Sequence, residues 1–201
     1  MLPPARASCR SAQFGSKLSR PSIRGRRAIL GLVKDDVLKF LRGLRAVREY
    51  TPESVSQEAI DQILEVGRWT STGGNRQPTE VVVVRDADVR RKFADWGAKP
   101  AGPAPVSLLL VTASEHSTVD EGRMAERLAL AARACGLGSC IATLKNEGPD
   151  AAKQLLGIPA DRRAQTLVTV GHPDVEARRG LPKLGAAARK PMTEFAHVDR
   201  Y

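Results

Sequence analysis

The chain has 201 residues, 42% of them hydrophobic, and a formal net charge of +10 from 32 basic and 22 acidic residues. Length and composition support one domain with an ordinary core and exclude both a disulfide-stapled mini-protein and a multidomain assembly. No apolar run approaches the roughly 20 residues of a membrane-spanning helix, and the three cysteines, Cys9, Cys135 and Cys140, have neither disulfide-framework nor metal-site spacing. A membrane partner and a bound metal are therefore not expected, and a reducing cytoplasm is the expected compartment.

The charge is unevenly placed. Residues 1–33 hold seven bases and no acid, which leaves 25 bases against 22 acids in the remainder. The leader is rich in Arg and Ser, holds Pro3, Pro4 and Pro21, and lacks an apolar period, so it is expected to be disordered. It reads as a transit-like segment, a tether to anionic surfaces, or a start-site artefact ahead of a true beginning near Val33. The body, residues 34–201, is nearly neutral, and nucleic acid is not expected as its partner.

From Asp35 the spacing of Val37, Leu38, Leu41 and Leu44 predicts a helix leading into an arginine cluster, where Arg45 and Arg48, three apart at the helix end, would lie on one side. Ser56 suits the N-cap of a second helix with Ile60, Ile63, Leu64 and Gly67 on its buried stripe, ending near Trp69. STGGN at 71–75 reads as a glycine turn, and VVVV at 81–84 as a strand buried on both faces. Asp86 or Asp88 begins a short helix through Phe93 and Trp96, which the Pro- and Gly-rich 99–105 stretch ends before the strand VSLLLV at 106–111. Asp120 opens the best-patterned helix, whose small face of Ala125, Leu128, Ala131, Ala132 and Cys135 suits close approach, with Gly136 as its left-handed cap. A strand at 139–143, a helix from Pro149 with Leu155 and Leu156 inside and Gly157 beyond its end, and a strong strand at 165–171 follow. Residues 172–201 show no period and are expected to wrap over the body or over a partner subunit.

Most catalytic constellations are missing. His116, His172 and His197 are scattered, and there is no HExxH, GxSxG or Walker sequence. GLG at 136–138 follows a helix and precedes a strand, the reverse of the order that aims a helix N-terminus at a pyrophosphate. No catalytic side chain is assigned, although arginine forks can still hold a phosphate.

Four segments stand out together: RGLRAVREY at 42–50, WTSTGGNRQP at 69–78, the helix leading into GLGSC at 136–140, and RKP at 189–191. Their order and spacing resemble the nitroreductase family of FMN-dependent oxidoreductases over essentially 34–201. The resemblance implies an α+β, nitroreductase-like fold, a three-layer α-β-α sandwich with a mixed central sheet, in an intertwined homodimer. It also implies FMN as cofactor, with Arg45, Arg48 and Arg42 at the phosphate, Ala46 in the same motif, and Thr72, Gly73, Asn75 and Gln77 against the flavin. Ile141, Ala142, Thr143 and Leu144 match the strand end that gives a backbone amide to the flavin N5, and Arg189, with Lys190 beside it, matches a C-terminal phosphate contact. Leu44 and Ala46 stand where many members carry Arg and Ser. The implied activity is ping-pong hydride transfer from NAD(P)H through FMN to an electron-poor small molecule such as a nitroaromatic or quinone. A flavin-binding or flavin-storing protein with little turnover is the alternative.

Overall fold

The computed structural model describes residues 34–113, 118–179 and 189–200, so the expectations for the 1–33 leader lie outside the described residues. The chain divides into two units, Met1–Gly43 and Leu44–Tyr201. In the first, residues 34–42 form helix α1, and its predicted apolar stripe of Val37, Leu38 and Leu41 remains exposed.

The second unit runs α2 (Gln57–Arg68), β1 (Thr79–Val84), α3 (Ala87–Asp95), β2 (Val106–Ala113), α4 (Thr118–Ala134), β3 (Gly138–Thr143), α5 (Gly148–Leu156), β4 (Arg162–Arg163), β5 (Thr166–Gly171), α6 (Val175–Arg179) and α7 (Met192–Phe195). The predicted start signals operate. The Ser56 hydroxyl accepts the Ala59 N–H at 3.2 Å, and Asp86 accepts the N–H groups of Asp88 and Val89 at 2.8 and 3.0 Å. Pro149 sits in the first turn of α5, and Gly157, with φ of 66°, ends that helix in the left-handed region that glycine adopts without a Cβ clash.

The strands order as β1-β2-β5-β3, with β4 pairing along β2 just before β5, and every pair of named strands is antiparallel. The mixed character expected of the sheet reduces to one isolated parallel bridge, Ala46 with Ser139. Strand alternation sorts the core into two sides. Val106, Leu108, Leu110, Val168 and Val170 pack with Ile60 and Ile63 of α2 and with Ala125, Leu128 and Ala132 of α4. Leu109, Val111 and Leu167 pack on the other face with Phe93 of α3 and Ala152 of α5. The result is the three-layer α-β-α arrangement.

One local expectation changes. VVVV forms β1, but β1 is a margin of the sheet and Val83 is exposed; the strand buried on both faces is β2. Leu155 and Leu156 lie within α5 as expected, with Leu155 on its exposed side, because only one of two adjacent leucines faces the sheet. The small face of α4 is used inside the chain: a Cβ on Gly67 of α2 would lie 2.6 Å from Leu128, so α2 and α4 approach closely through that glycine. The aperiodic end carries the short helices α6 and α7.

One buried ion pair had no signal in the sequence. Glu121, in the first turn of α4, is almost fully buried and accepts Arg163 Nε at 3.0 Å, tying the helix to β4. Among the described residues no helix is long and apolar enough to cross a membrane.

Candidate functional site

Residues 44–50 leave α1 as extended chain. The helical geometry that would set Arg45 and Arg48 on one side therefore does not apply, and the segment is placed instead by pairing with β3. Val47 N–H donates to Ser139 O at 2.8 Å beside the Ala46–Ser139 bridge. Tyr50 anchors the other end: its buried hydroxyl donates to Val47 O at 2.5 Å and lies 2.7 Å from Thr169 Oγ1. Burial pushes the Tyr50 phenol well above its usual range, so it stays a neutral hydrogen-bonding group. Gly138 makes the approach possible, since a Cβ there would come within 2.8 Å of Val47. This fastening leaves the side chains of Arg45 and Arg48 exposed, with the charge of Arg48 acting on Cys140 of β3. Burial raises the Cys140 thiol and Arg48 only partly opposes it, which keeps the sulfur a thiol.

The edge of β3 is the second component. β3 pairs with β5 on one side only. Ser139 O points away from β5, to Val47, whereas Leu144 N–H donates inward to Gln165 O at 2.9 Å. Antiparallel alternation then assigns the outward backbone groups to Ser139, Ile141 and Thr143, and the inward ones to Cys140, Ala142 and Leu144. Leu144 is fully buried, while Ile141 is 43% exposed. Of the stretch singled out in the sequence, Ile141 and Thr143 are thus the residues whose N–H groups face the open margin.

The third component is the loop between α2 and β1. Residues 73–75 form a single 3₁₀ turn with Gly74 at φ of 59°, and Asn75 and Gln77 hold positive φ values of 54° and 50°. Two non-glycine residues in this region cost about 1 kcal/mol or more each, a strain found mostly at functional sites. The loop keeps this shape because Thr72 Oγ1 accepts Gln77 N–H at 3.0 Å and Thr72 O accepts Asn75 N–H at 3.0 Å. Gly73, Asn75 and Gln77 are exposed. A cavity of about 480 Å³ opens here, lined by Arg68, Trp69, Thr70, Thr72, Asn75 and Gln77 among others.

Trp69 and Thr70 were not assigned roles from the sequence, although they begin the same motif. Thr70 Oγ1 is buried with no hydrogen-bond partner, an unsatisfied hydroxyl at a cavity wall. Trp69 is 67% exposed yet held: its indole N–H donates to Glu65 at 2.7 Å, and Arg68 forks onto the same carboxylate at 2.8 and 2.7 Å while lying 5.4 Å from the indole ring centroid. The Arg68 bonds, then the indole N–H, pull the Glu65 carboxyl from its ordinary 4.5 down to about 2. A depressed carboxyl contributes above its ordinary pKa and is lost only as pH falls through the folded value. In a Trp96→Phe background, the emission of Trp69 is therefore expected to hold through pH 4.5 and change near pH 2. A transition centred at the ordinary value would show that the three side chains do not act together.

Arg42 ends α1 and belongs to the first unit, with its Nε donating to Leu38 O at 3.3 Å. Arg189 and Lys190 are exposed just ahead of α7.

The strand order sets the relation between the components of the second unit. Thr79 of β1 aligns with Thr112 of β2, which aligns with Arg163 of β4, and Thr143 of β3 aligns with Thr166 of β5. The 72–77 loop and the outward edge of β3 thus lie at the same end of the sheet but on opposite margins, three strand spacings or about 14 Å apart.

A family model for nitroreductases matches residues 41–115, the stretch that holds both the Arg45–Tyr50 segment and the 72–77 loop. Over that stretch the chain is similar to the nitroreductase family. It is 27% identical over 193 residues to an FMN reductase [NAD(P)H] of Bacillus subtilis, covering 83% of this chain and 75% of that one. It is also 27% identical over 153 residues to an Archaeoglobus fulgidus protein whose name joins NADH dehydrogenase with NAD(P)H nitroreductase, covering 71% and 88%. Its fold resembles that of an FMN-dependent nitroreductase from Clostridium difficile, with a TM-score of 0.69 at 20% identity over 82% of this chain and 99% of that one. Within the matched stretch, therefore, the Arg45–Tyr50 segment and the 72–77 loop occupy opposite margins of the sheet.

Proposed function

We propose that the protein is an FMN-dependent oxidoreductase that moves hydride from NAD(P)H to an electron-poor small molecule, a nitroaromatic or a quinone, and that it works in the cytoplasm as a homodimer with a flavin at each interface. The observation that carries this reading is the division of the site. Cations and outward amides lie together at β3, and the strained amide-bearing loop lies about 14 Å away on the other margin. One flat ring touches both only if the loop comes from a second copy.

The residues fit the cofactor. Arg45 and Arg48, with Arg189 and Lys190 of the same unit, would supply positive charge for the phosphate, and Ala46 holds the Arg45–Arg48 segment to the sheet. Thr143 and Ile141 offer backbone N–H groups at a margin where no further strand follows among the described residues, which suits a ring nitrogen that needs a donor. Thr72, Gly73, Asn75 and Gln77 of the second copy would meet the flavin edge, where amides both donate and accept. The orphaned Thr70 hydroxyl adds a further polar contact in that cavity. When bound, FMN would supply the redox chemistry, hydride transfer between NAD(P)H and a second small molecule that uses the same site in turn. The protein's part is to hold, orient and exclude water, and no side-chain nucleophile is needed. Met192, Phe195 and Val198 are 72%, 73% and 82% exposed, an apolar surface that a second copy would cover.

The test is the visible spectrum of the purified protein under anaerobic addition of NADPH or NADH, read in the flavin band near about 450 nm. Bleaching that reverses with a quinone or nitroarene is the expected result. A yellow protein that does not bleach indicates flavin storage, and a colourless one that cannot be reconstituted with FMN overturns the proposal.

A further inference from the structure

A second cleft, of about 450 Å³, lies at the other end of the sheet, with Ser54, Arg85, Arg90, Pro52, Pro103 and Pro105 among its lining residues. Arg85 follows the last residue of β1, so the cleft is the full length of that six-residue strand, roughly 20 Å, from the 72–77 loop.

Both guanidiniums are fixed, and their hydrogen-bond acceptors are all neutral. Arg85 Nη1 donates to Val55 O at 3.0 Å and Nη2 to the Gln57 side-chain oxygen at 3.1 Å. Arg90 Nε donates to Arg85 O at 3.4 Å, and its Nη1 to Gly102 O at 3.3 Å and to Ala104 O. No acid lines the cleft. The acids nearby are committed elsewhere: Glu53 to His172 at 3.6 Å, Asp88 to Arg91, and Asp86 to the first N–H groups of α3, with a secondary pull on Arg90. Two positive groups thus face one cleft with no carboxylate in its walls. Arg90 is part-buried, and its desolvation, which Asp86 only partly offsets, is a cost that an entering anion relieves, while the exposed Arg85 adds a second positive charge. Three prolines fix the backbone around it, so the walls are already in place for a ligand.

We propose that this cleft binds a small oxyanion, a phosphate or a carboxylate carried by a metabolite, held by Arg85 and Arg90 with the Ser54 hydroxyl as a further donor. The site is independent of the flavin reading. The flavin phosphate is assigned to Arg45 and Arg48 beside β3, whereas the cleft lies beside β1 on the opposite margin of the sheet, and saturating FMN removes the β3 margin from the measurement.

The experiment is calorimetric titration of protein held in excess FMN with inorganic phosphate and with succinate, against sodium chloride at equal ionic strength. Saturable binding of phosphate, of succinate or of both is expected, and which of them binds identifies the source of the oxyanion. Arg85→Gln is expected to weaken it about tenfold, the loss of one charge-assisted hydrogen bond. Ser54→Asp, at an exposed position that leaves the core untouched, is expected to abolish it by placing a negative charge in the cleft. Absence of saturable binding, an equal response to chloride, or binding unchanged in folded Arg85→Gln and Ser54→Asp proteins would overturn the proposal.

Discussion

Replacing Arg48 with Ala is expected to lower FMN affinity about 10- to 100-fold while leaving the thermal transition of the flavin-free protein unchanged. The side chain is exposed, so its removal opens no cavity, whereas the segment that carries it is held by backbone pairing and by Tyr50. A hydrogen bond between charged partners is worth about 1.5–3 kcal/mol, and each 1.4 kcal/mol is about tenfold in affinity. The measurement is flavin released on dialysis, followed by fluorescence. Equal retention by wild type, Arg48→Ala and Arg189→Ala would remove both residues from the phosphate site.

Gly171→Ala should do the opposite and damage the fold first. A Cβ at the end of β5 would lie 2.5 Å from Pro105 Cδ and 2.8 Å from Tyr50 Cδ1. Neither neighbour can yield: Pro105 is a closed ring on the chain entering β2, and Tyr50 is locked by its hydrogen bonds to Val47 and Thr169. Overpacking of this kind costs about 1–3 kcal/mol and occasionally more. A thermal midpoint lower by roughly 3–8 °C is expected, with flavin loss as a secondary effect because Tyr50 positions the Arg45–Arg48 segment. A midpoint equal to wild type would mean that the β5 end shifts without strain.

The sequence was most legible where one local interaction decides the outcome. Ser56, Asp86 and Gly157 marked helix ends because a single side chain or a single φ sets each of them. The 72–77 motif was visible because positive φ and backbone approach restrict the residues that fit. Partnership across the sheet was not visible. Nothing in VVVV tells a margin strand from a central one, because that depends on β2, 23 to 33 residues further along, and on β5, which β2 takes as its second partner. The Arg45–Arg48 geometry failed for the same reason: a helical period before Gly43 was extended through a segment that its pairing with Ser139 makes straight. Glu121 and Arg163 each read as ordinary surface charges, and only the chain reversal before β4 brings them together.

The open margin of β3 also bears on how the protein survives without its flavin. The outward N–H and C=O groups of Ile141 and Thr143, which no strand among the described residues pairs, form a short template for strand addition, and Ile141 gives it an apolar side chain. The inward arginines, prolines and bulges by which many proteins blunt such an edge are missing from GSCIAT. With the proposed cofactor in place, a ring and its phosphate cover that edge. A chain newly released from the ribosome or stripped of flavin has no such cover, so ligand supply and resistance to aggregation become one and the same requirement for this molecule.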